Sequence, residues 1–153
     1  MFKLILSCIA VAVCMKSVNS LTPDQKAAVQ AKLLTSGLHC IRDHPLNLDE
    51  ITMLRDKKLP EGENAKCFTA CLFKQIGIMD DMGKLNAANA VKSAEEVFKS
   101  SDKHLEKSKQ IIQECISVND APTSDGAKGC DRAKLAFNCL NEGADKHGLH
   151  ITF

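Results

Sequence analysis

Apolar residues recur at intervals of three and four along most of this chain, and no stretch alternates strictly with polar residues as a half-buried strand would. The pattern predicts an all-α protein of six helices. The first opens at Thr22-Pro23-Asp24-Gln25, where Thr22 can cap, Pro23 takes the first helical position and Gln25 completes a capping box. Ala27, Ala31 and Leu34 read as its apolar face and Gly37 as its end. A short second helix covers 49–55, with Ile51 and Leu54 apolar, and stops before Leu59-Pro60-Glu61-Gly62. The third, 65–76 behind Asn64, carries Phe68, Leu72, Phe73 and Ile76, an apolar set too wide for a surface helix, and should be central. A turn at 77–83 leads to a fourth helix over 85–98, with Ala88, Val91, Ala94, Val97 and Phe98 inward. Ser101 caps a fifth over 102–118, on which Leu105, Ile112, Cys115 and Ile116 share a face. After a loop at 121–126, a sixth runs over 128–142 around Ala133, Phe137 and Leu140.

The start of the chain is of another kind. A basic beginning at Lys3, an apolar run over 4–15 and the small residues around Val18-Asn19-Ser20 read as a signal peptide over 1–20, removed before Leu21. That run is too short to span a bilayer as a helix, and no later stretch is long and apolar enough. The expected mature protein is therefore a secreted, extracellular single domain over 21–153, with a C-terminal tail over 140–153. Loss of Lys3 and Lys16 leaves 18 basic against 19 acidic residues, close to neutral. No basic tract tracks phosphates, so nucleic acid is not an expected partner. A domain of this length buries roughly two thirds of its unfolded surface, which leaves room for a cavity if crosslinks offset its cost.

Six cysteines remain beyond the leader: Cys40, Cys67, Cys71, Cys115, Cys130 and Cys139, separated by 26, 3, 43, 14 and 8 residues. In an exported chain an even set of this kind reads as three disulfides rather than metal ligands or nucleophiles. Cys67 and Cys71 lie one turn apart on one helix face, too far apart to bond each other; Cys130 and Cys139 lie on nearly opposite sides of theirs. Excluding both intrahelical bonds cuts the fifteen possible pairings to ten, and spacing does not choose among those. His39 beside Cys40, and nearby His44, form no paired CxxC or HExxH motif, so neither a metal nor a cofactor is expected.

The intervals of 3 and 8 residues between cysteines resemble the six-cysteine signature of the insect odorant-binding proteins, the pheromone-binding and general odorant-binding superfamily. So do Lys66-Cys67-Phe68-Thr69-Ala70-Cys71-Leu72 and the following Gly77-Ile78-Met79-Asp80. The resemblance spans 21–153 and implies a compact six-helix domain with three interhelical disulfides around an apolar cavity. It also implies the pairs Cys40 with Cys71, Cys67 with Cys130, and Cys115 with Cys139. The 14-residue interval before Cys130 is longer than usual in that family, and the loop at 121–126 takes up the difference.

The implied function is that of a carrier for small hydrophobic ligands such as odorants or pheromone-like semiochemicals, delivered to a membrane receptor in olfactory tissue by a monomer or weak homodimer. Leu54, Leu72, Phe73, Ile76, Val91, Ile112, Phe137 and Leu140 are the candidate ligand-binding wall, drawn from the inward faces. Ile151 and Phe153 join them if the tail folds back with Leu149. Burial of His147 or His150 in such a tail without an acidic partner would disfavour the charged form, so acid would release the tail; an acidic neighbour would reverse the sign. The chain has no Trp or Tyr, so polar contacts fall to Thr69, Asn86, Asn89, Ser93 and Ser108, with Met53, Met79 and Met82 as adaptable surface near an entrance.

Two other readings stand beside a non-olfactory lipid or hormone carrier. A small secreted hydrolase would need a His-Asp pair by paired cysteines, a GxSxG or an acidic calcium loop, and none occurs; Arg42-Asp43-His44-Pro45 reads as a solvated loop, so no enzyme is expected. A saposin-like membrane-active protein would show a broad basic or apolar exposed face.

Overall fold

A computed structural model describes residues 22–99 and 101–149; the expected signal peptide at 1–20 and the tail residues His150, Ile151 and Phe153 lie outside the described residues. The side chain of Thr22 accepts from the Gln25 amide at 3.3 Å and the Gln25 Oε1 accepts from the Thr22 amide at 2.9 Å, closing the box that starts α1, Pro23–Cys40. Asn47 and Glu50 form the same box for α2, Leu48–Arg55. Asn86 caps α4, Ala87–Phe98, and Ser101 caps α5, Asp102–Cys115. Each such cap supplies about 1 kcal/mol. α3, Glu63–Gln75, starts instead from Gly62 without a side-chain cap, so Asn64 lies inside the helix. α6 runs Cys130–Lys146, after two 3₁₀ turns at Ile116–Asp120 and Gly126–Lys128.

α1 continues through Gly37, and its buried positions are Gln25 and Cys40. Ala27, Ala31 and Leu34 are exposed, which corrects the face read from the sequence. The bond at Cys40 sets the helix phase: stepping back by threes and fours from an inward Cys40 reaches Ser36, Leu33 and Val29, all half-buried. Alanine carries too little transfer energy to define a face against a buried staple.

α3 is the central element. It packs most extensively on α6, α4 packs on α5, and α5 on α6. Cys71 bonds to Cys40 of α1 and Cys67 to Cys130 of α6, while Cys115 at the end of α5 bonds to Cys139 of α6. These are the pairs implied by the resemblance. The main buried cluster lies between α3, α5 and α6 and includes Ala70, Phe73, Ile111, Ala133 and Ala136.

Among the described residues the one β-like contact is the bridge between Met79 and Leu85. Asn119 fastens it: its Oδ1 accepts from the Leu85 amide at 2.8 Å and its Nδ2 donates to the Leu85 carbonyl at 2.9 Å. Here two chain segments meet with no room for side chains. A Cβ on Gly83 would lie 2.9 Å from the Cα of Gly129, and both residues have positive φ. The long segment before α6 is tied down by Arg132, buried, which donates to the carbonyls of Val118 and Ala121 and to the Thr123 hydroxyl.

Lys66 of α3 meets Asp131 of α6 at 2.7 Å. The Lys66 ammonium, followed by the Ser124 hydroxyl and amide, holds the Asp131 carboxyl down at about 2. A carboxyl lowered on folding contributes stability that is full above its unfolded value near ~3.9 and lost as pH falls through the folded one. The melting-temperature difference between wild type and Asp131→Asn should therefore be largest near neutrality and close by about pH 2. A constant difference across that window would show that this pair contributes nothing through its charge.

The crosslinks close loops of 31, 63 and 24 residues. Chain entropy gives about 3.4 kcal/mol for the shortest and about 4.3 for the longest. The Cys67→Ala/Cys130→Ala variant should accordingly lose more denaturant stability than Cys115→Ala/Cys139→Ala, and the reverse order would count against loop length as the controlling variable.

Candidate ligand cavity

Side chains from all six helices border one cavity of about 620 Å³. Val29 and Leu33 come from α1, Ile51 and Leu54 from α2, Phe68, Leu72 and Phe73 from α3, and Ile111 and Ile112 from α5. α6 adds Phe137, Leu140 and Ala144, the turn after α3 adds Ile76, Ile78 and Leu85, and Leu149 borders it after α6. The space has a local cause. α4 presents Ala87, Ala90 and Ala94 at helical spacing, and methyl groups leave unfilled the volume that larger side chains would occupy.

Hydroxyls in the wall are engaged by backbone. Thr69 donates to the Ala65 carbonyl at 2.9 Å, Ser108 to that of His104 at 2.9 Å, and Ser93 to that of Ile76 at 2.6 Å. Asn86 accepts from the Asn89 amide as the α4 cap. A guest inside therefore meets an almost wholly apolar surface. The mouth differs: Leu34 at 65% and Ile51 at 41% exposure both border the cavity, which puts its opening between α1 and α2. Three cations also line it. Lys32 pairs with Glu96 at 3.3 Å and Lys57 with Asp145 at 3.2 Å, and the third is Arg55.

Of the wall residues expected from sequence, Leu54, Leu72, Phe73, Ile76, Ile112, Phe137 and Leu140 border the cavity. Val91 does not, because α4 turns the face of Ala87, Ala90 and Ala94 inward and leaves Ala88 exposed. Of the two valines in this alanine-rich helix the sequence reading put Val91 in the wall, but Val91 sits about 100° from Ala90 and it is Val97 that borders the cavity. Ile151 and Phe153 lie outside the described residues. Sequence reasoning missed Val29 and Leu33, which the phase of Cys40 would have found, and Ala90, which no apolar pattern marks. Asn89 borders nothing in the cavity, nor do Met53, Met79 and Met82: Met79 is buried in the core cluster, and the other two are exposed.

Leu149 is buried, so the chain does return to the cavity just after α6. Its Gly148 carbonyl accepts from Lys107, and His147 Nε2 lies 3.0 Å from a Glu114 oxygen. An acid-driven release through His147 required a histidine without an acidic partner, and Glu114 removes that condition. Lys146, then His147, hold the Glu114 carboxyl below its ordinary value. Glu63, Cys67 and Cys130 bring ligand-type atoms within 4.8 Å of one another, but both sulfurs are in a disulfide and offer no thiolate.

The family model described as the PBP/GOBP family matches residues 22–143. General odorant-binding protein 19d of Drosophila melanogaster is 28% identical over 103 residues, 67% of this chain; the aligned part spans 65% of that relative, just under two thirds of its length. The solved structure of odorant-binding protein 28a from Drosophila melanogaster superposes with a TM-score of 0.66 at 27% identity, covering 83% of this chain and all of that one. A second structure is described as a fatty acid binding protein, odorant-binding protein 56a, from the oral disk of the blowfly Phormia regina. It gives a TM-score of 0.56 at 25% identity over 83% of this chain and 97% of that one.

The cavity makes a prediction independent of any ligand. Ala90→Leu adds bulk toward open space and should leave the melting temperature within a few degrees of wild type. Ala133→Leu adds the same bulk to the closed core between α3 and α6, where overpacking costs about 1–3 kcal/mol. Equal losses in both would show that the space beside Ala90 is not there in solution.

Proposed function

We propose that this chain, which belongs to the PBP/GOBP family of insect odorant-binding proteins, is an extracellular carrier that takes up small hydrophobic molecules in the cavity between its six helices and releases them unchanged. The observation that carries the reading is the wall itself: apolar side chains from every helix, with the intervening hydroxyls already bonded to backbone carbonyls. Such a wall rewards apolar area and little else. Each ligand methylene buried contributes about 0.8 kcal/mol, so burying a chain of eight to ten carbons gains roughly 6–8 kcal/mol, against which the cost of association is set. Among the described residues no helix is long and apolar enough to cross a membrane. Carriage, not catalysis, also fits the absence of any motif for an activated nucleophile in the sequence.

Two guest classes are consistent with this wall: volatile alcohols, esters and terpenoids, as the family name suggests, and single-chain lipids, as the similarity to the blowfly fatty acid binding protein suggests. The test is displacement of a hydrophobic fluorescent probe, N-phenyl-1-naphthylamine, from the oxidised protein. Medium-chain alcohols, esters or terpenoids should displace it and raise the melting temperature with ligand concentration as RT ln(1 + [L]/Kd), whereas glucose and ATP should do neither. No displacement by any apolar compound up to its solubility limit would end the carrier reading. Release of alcohol from the esters would move the protein to the hydrolases.

A further inference from the structure

The cavity is apolar within and cationic at one side of its mouth. Lys57, just after α2, is held by Asp145 of α6, so the C-terminal end of α2 stands beside the last turns of α6. Asn141, one turn before Asp145, borders the cavity on that side, and so does Arg55. The neighbouring charges are matched: Lys57 with Asp145, and Lys32 with Glu96 and the Ser93 hydroxyl. The Arg55 side chain has no ion pair or hydrogen bond among the described residues. One turn back on its own helix stand Ile51 and Thr52, neither of them acidic.

An unengaged guanidinium that lines an apolar cavity and still reaches water is suited to one kind of guest. The apolar tail of a single-chain amphiphile would lie inside, and its anionic head would stop at the rim, where the planar fork of donors matches a carboxylate. An amide at Asn141 offers a neutral donor beside it. Resting on the carrier reading, we propose that Arg55, with Lys57 and Asn141, forms a head-group subsite that selects long-chain carboxylates over neutral chains of the same length. α2 has no buried residue, so its end can adjust to the head without disturbing the core.

The test compares dodecanoic acid, 1-dodecanol and methyl dodecanoate as displacers of N-phenyl-1-naphthylamine at neutral pH, below their aggregation limits. A charge-assisted pair at a partly hydrated rim predicts that wild type binds the acid about five- to tenfold more tightly than the alcohol or ester. Arg55→Gln should weaken binding of the acid far more than that of the alcohol and so remove most of that ratio, and Arg55→Lys should keep part of it. Lys128→Gln, exposed and away from the cavity, controls for net charge and should leave the ratio at the wild-type value. Equal binding of acid and alcohol by wild type, or a ratio unmoved by Arg55→Gln, overturns the subsite while the carrier reading stands. Failure of all three compounds to displace the probe would count against the carrier itself.

Discussion

Two sulfur bonds leave one face of one helix and go to different neighbours, and the rest of the molecule is arranged around that constraint. Cys67 and Cys71 are a single turn apart on α3; the first reaches α6 and the second α1. α3 is thereby fixed against both, and the remaining bond ties α5 to α6. The consequence is energetic as much as geometric. A dry closed void of about 620 Å³ would cost on the order of 15 kcal/mol at the coefficient found for engineered cavities, as much as the entire stability of many domains. The opening beside Leu34 and Ile51 lowers that figure by admitting water. Even so, crosslinks that together destabilise the unfolded chain by roughly 11 kcal/mol are of the size the void demands. The covalent frame thus offsets a cost of the size that a cavity imposes on a helical domain of this length.

That same frame explains what could be read from the sequence and what could not. The starts of α1 and α5 were legible because Thr22 and Ser101 are residues whose side chains satisfy free amides, and the chain uses them for that purpose, whereas Asn47 and Asn86 do the same for α2 and α4 without having been read as caps. The faces of α1 and α4 were not legible from apolar spacing. On α1 the spacing of Ala27, Ala31 and Leu34 was helical, but the two alanines face outward and Leu34 reaches only the mouth of the cavity, since the phase is dictated by Cys40. On α4 the cavity needs small residues, and hydrophobic periodicity is blind to the difference between an alanine that faces solvent and one that leaves room for a guest. Seven wall positions on α2, α3, α5, α6 and the turn after α3 were found because large apolar residues there have one reasonable place to go. The turn at Met79 and Leu85 was hidden for another reason: it depends on Asn119, distant in sequence, and on two glycines meeting.

The engaged hydroxyls bear on how such a cavity discriminates. Had Thr69, Ser93 and Ser108 pointed free donors inward, a guest lacking oxygen would leave them unsatisfied, at about 1–3 kcal/mol each. Bonded to Ala65, Ile76 and His104 instead, they impose no such penalty, so the interior wall favours apolar contact by size and shape. Polar discrimination, if the protein has it, must then act where water and ligand meet, at the mouth.

The mouth is also where the structure is least committed. α2 is capped at its start, yet no residue of it is buried, and the salt bridge from Lys57 to Asp145 is an exposed one of the kind worth at most about 1 kcal/mol. Local opening in this region therefore costs far less than unfolding the crosslinked helices. The bridge joins the end of α2 to α6 a few residues before Leu149, which borders the same cavity. The Lys57–Asp145 pair thus spans the two edges of the cavity, while the three disulfides cross-link α1, α3, α5 and α6 beneath them.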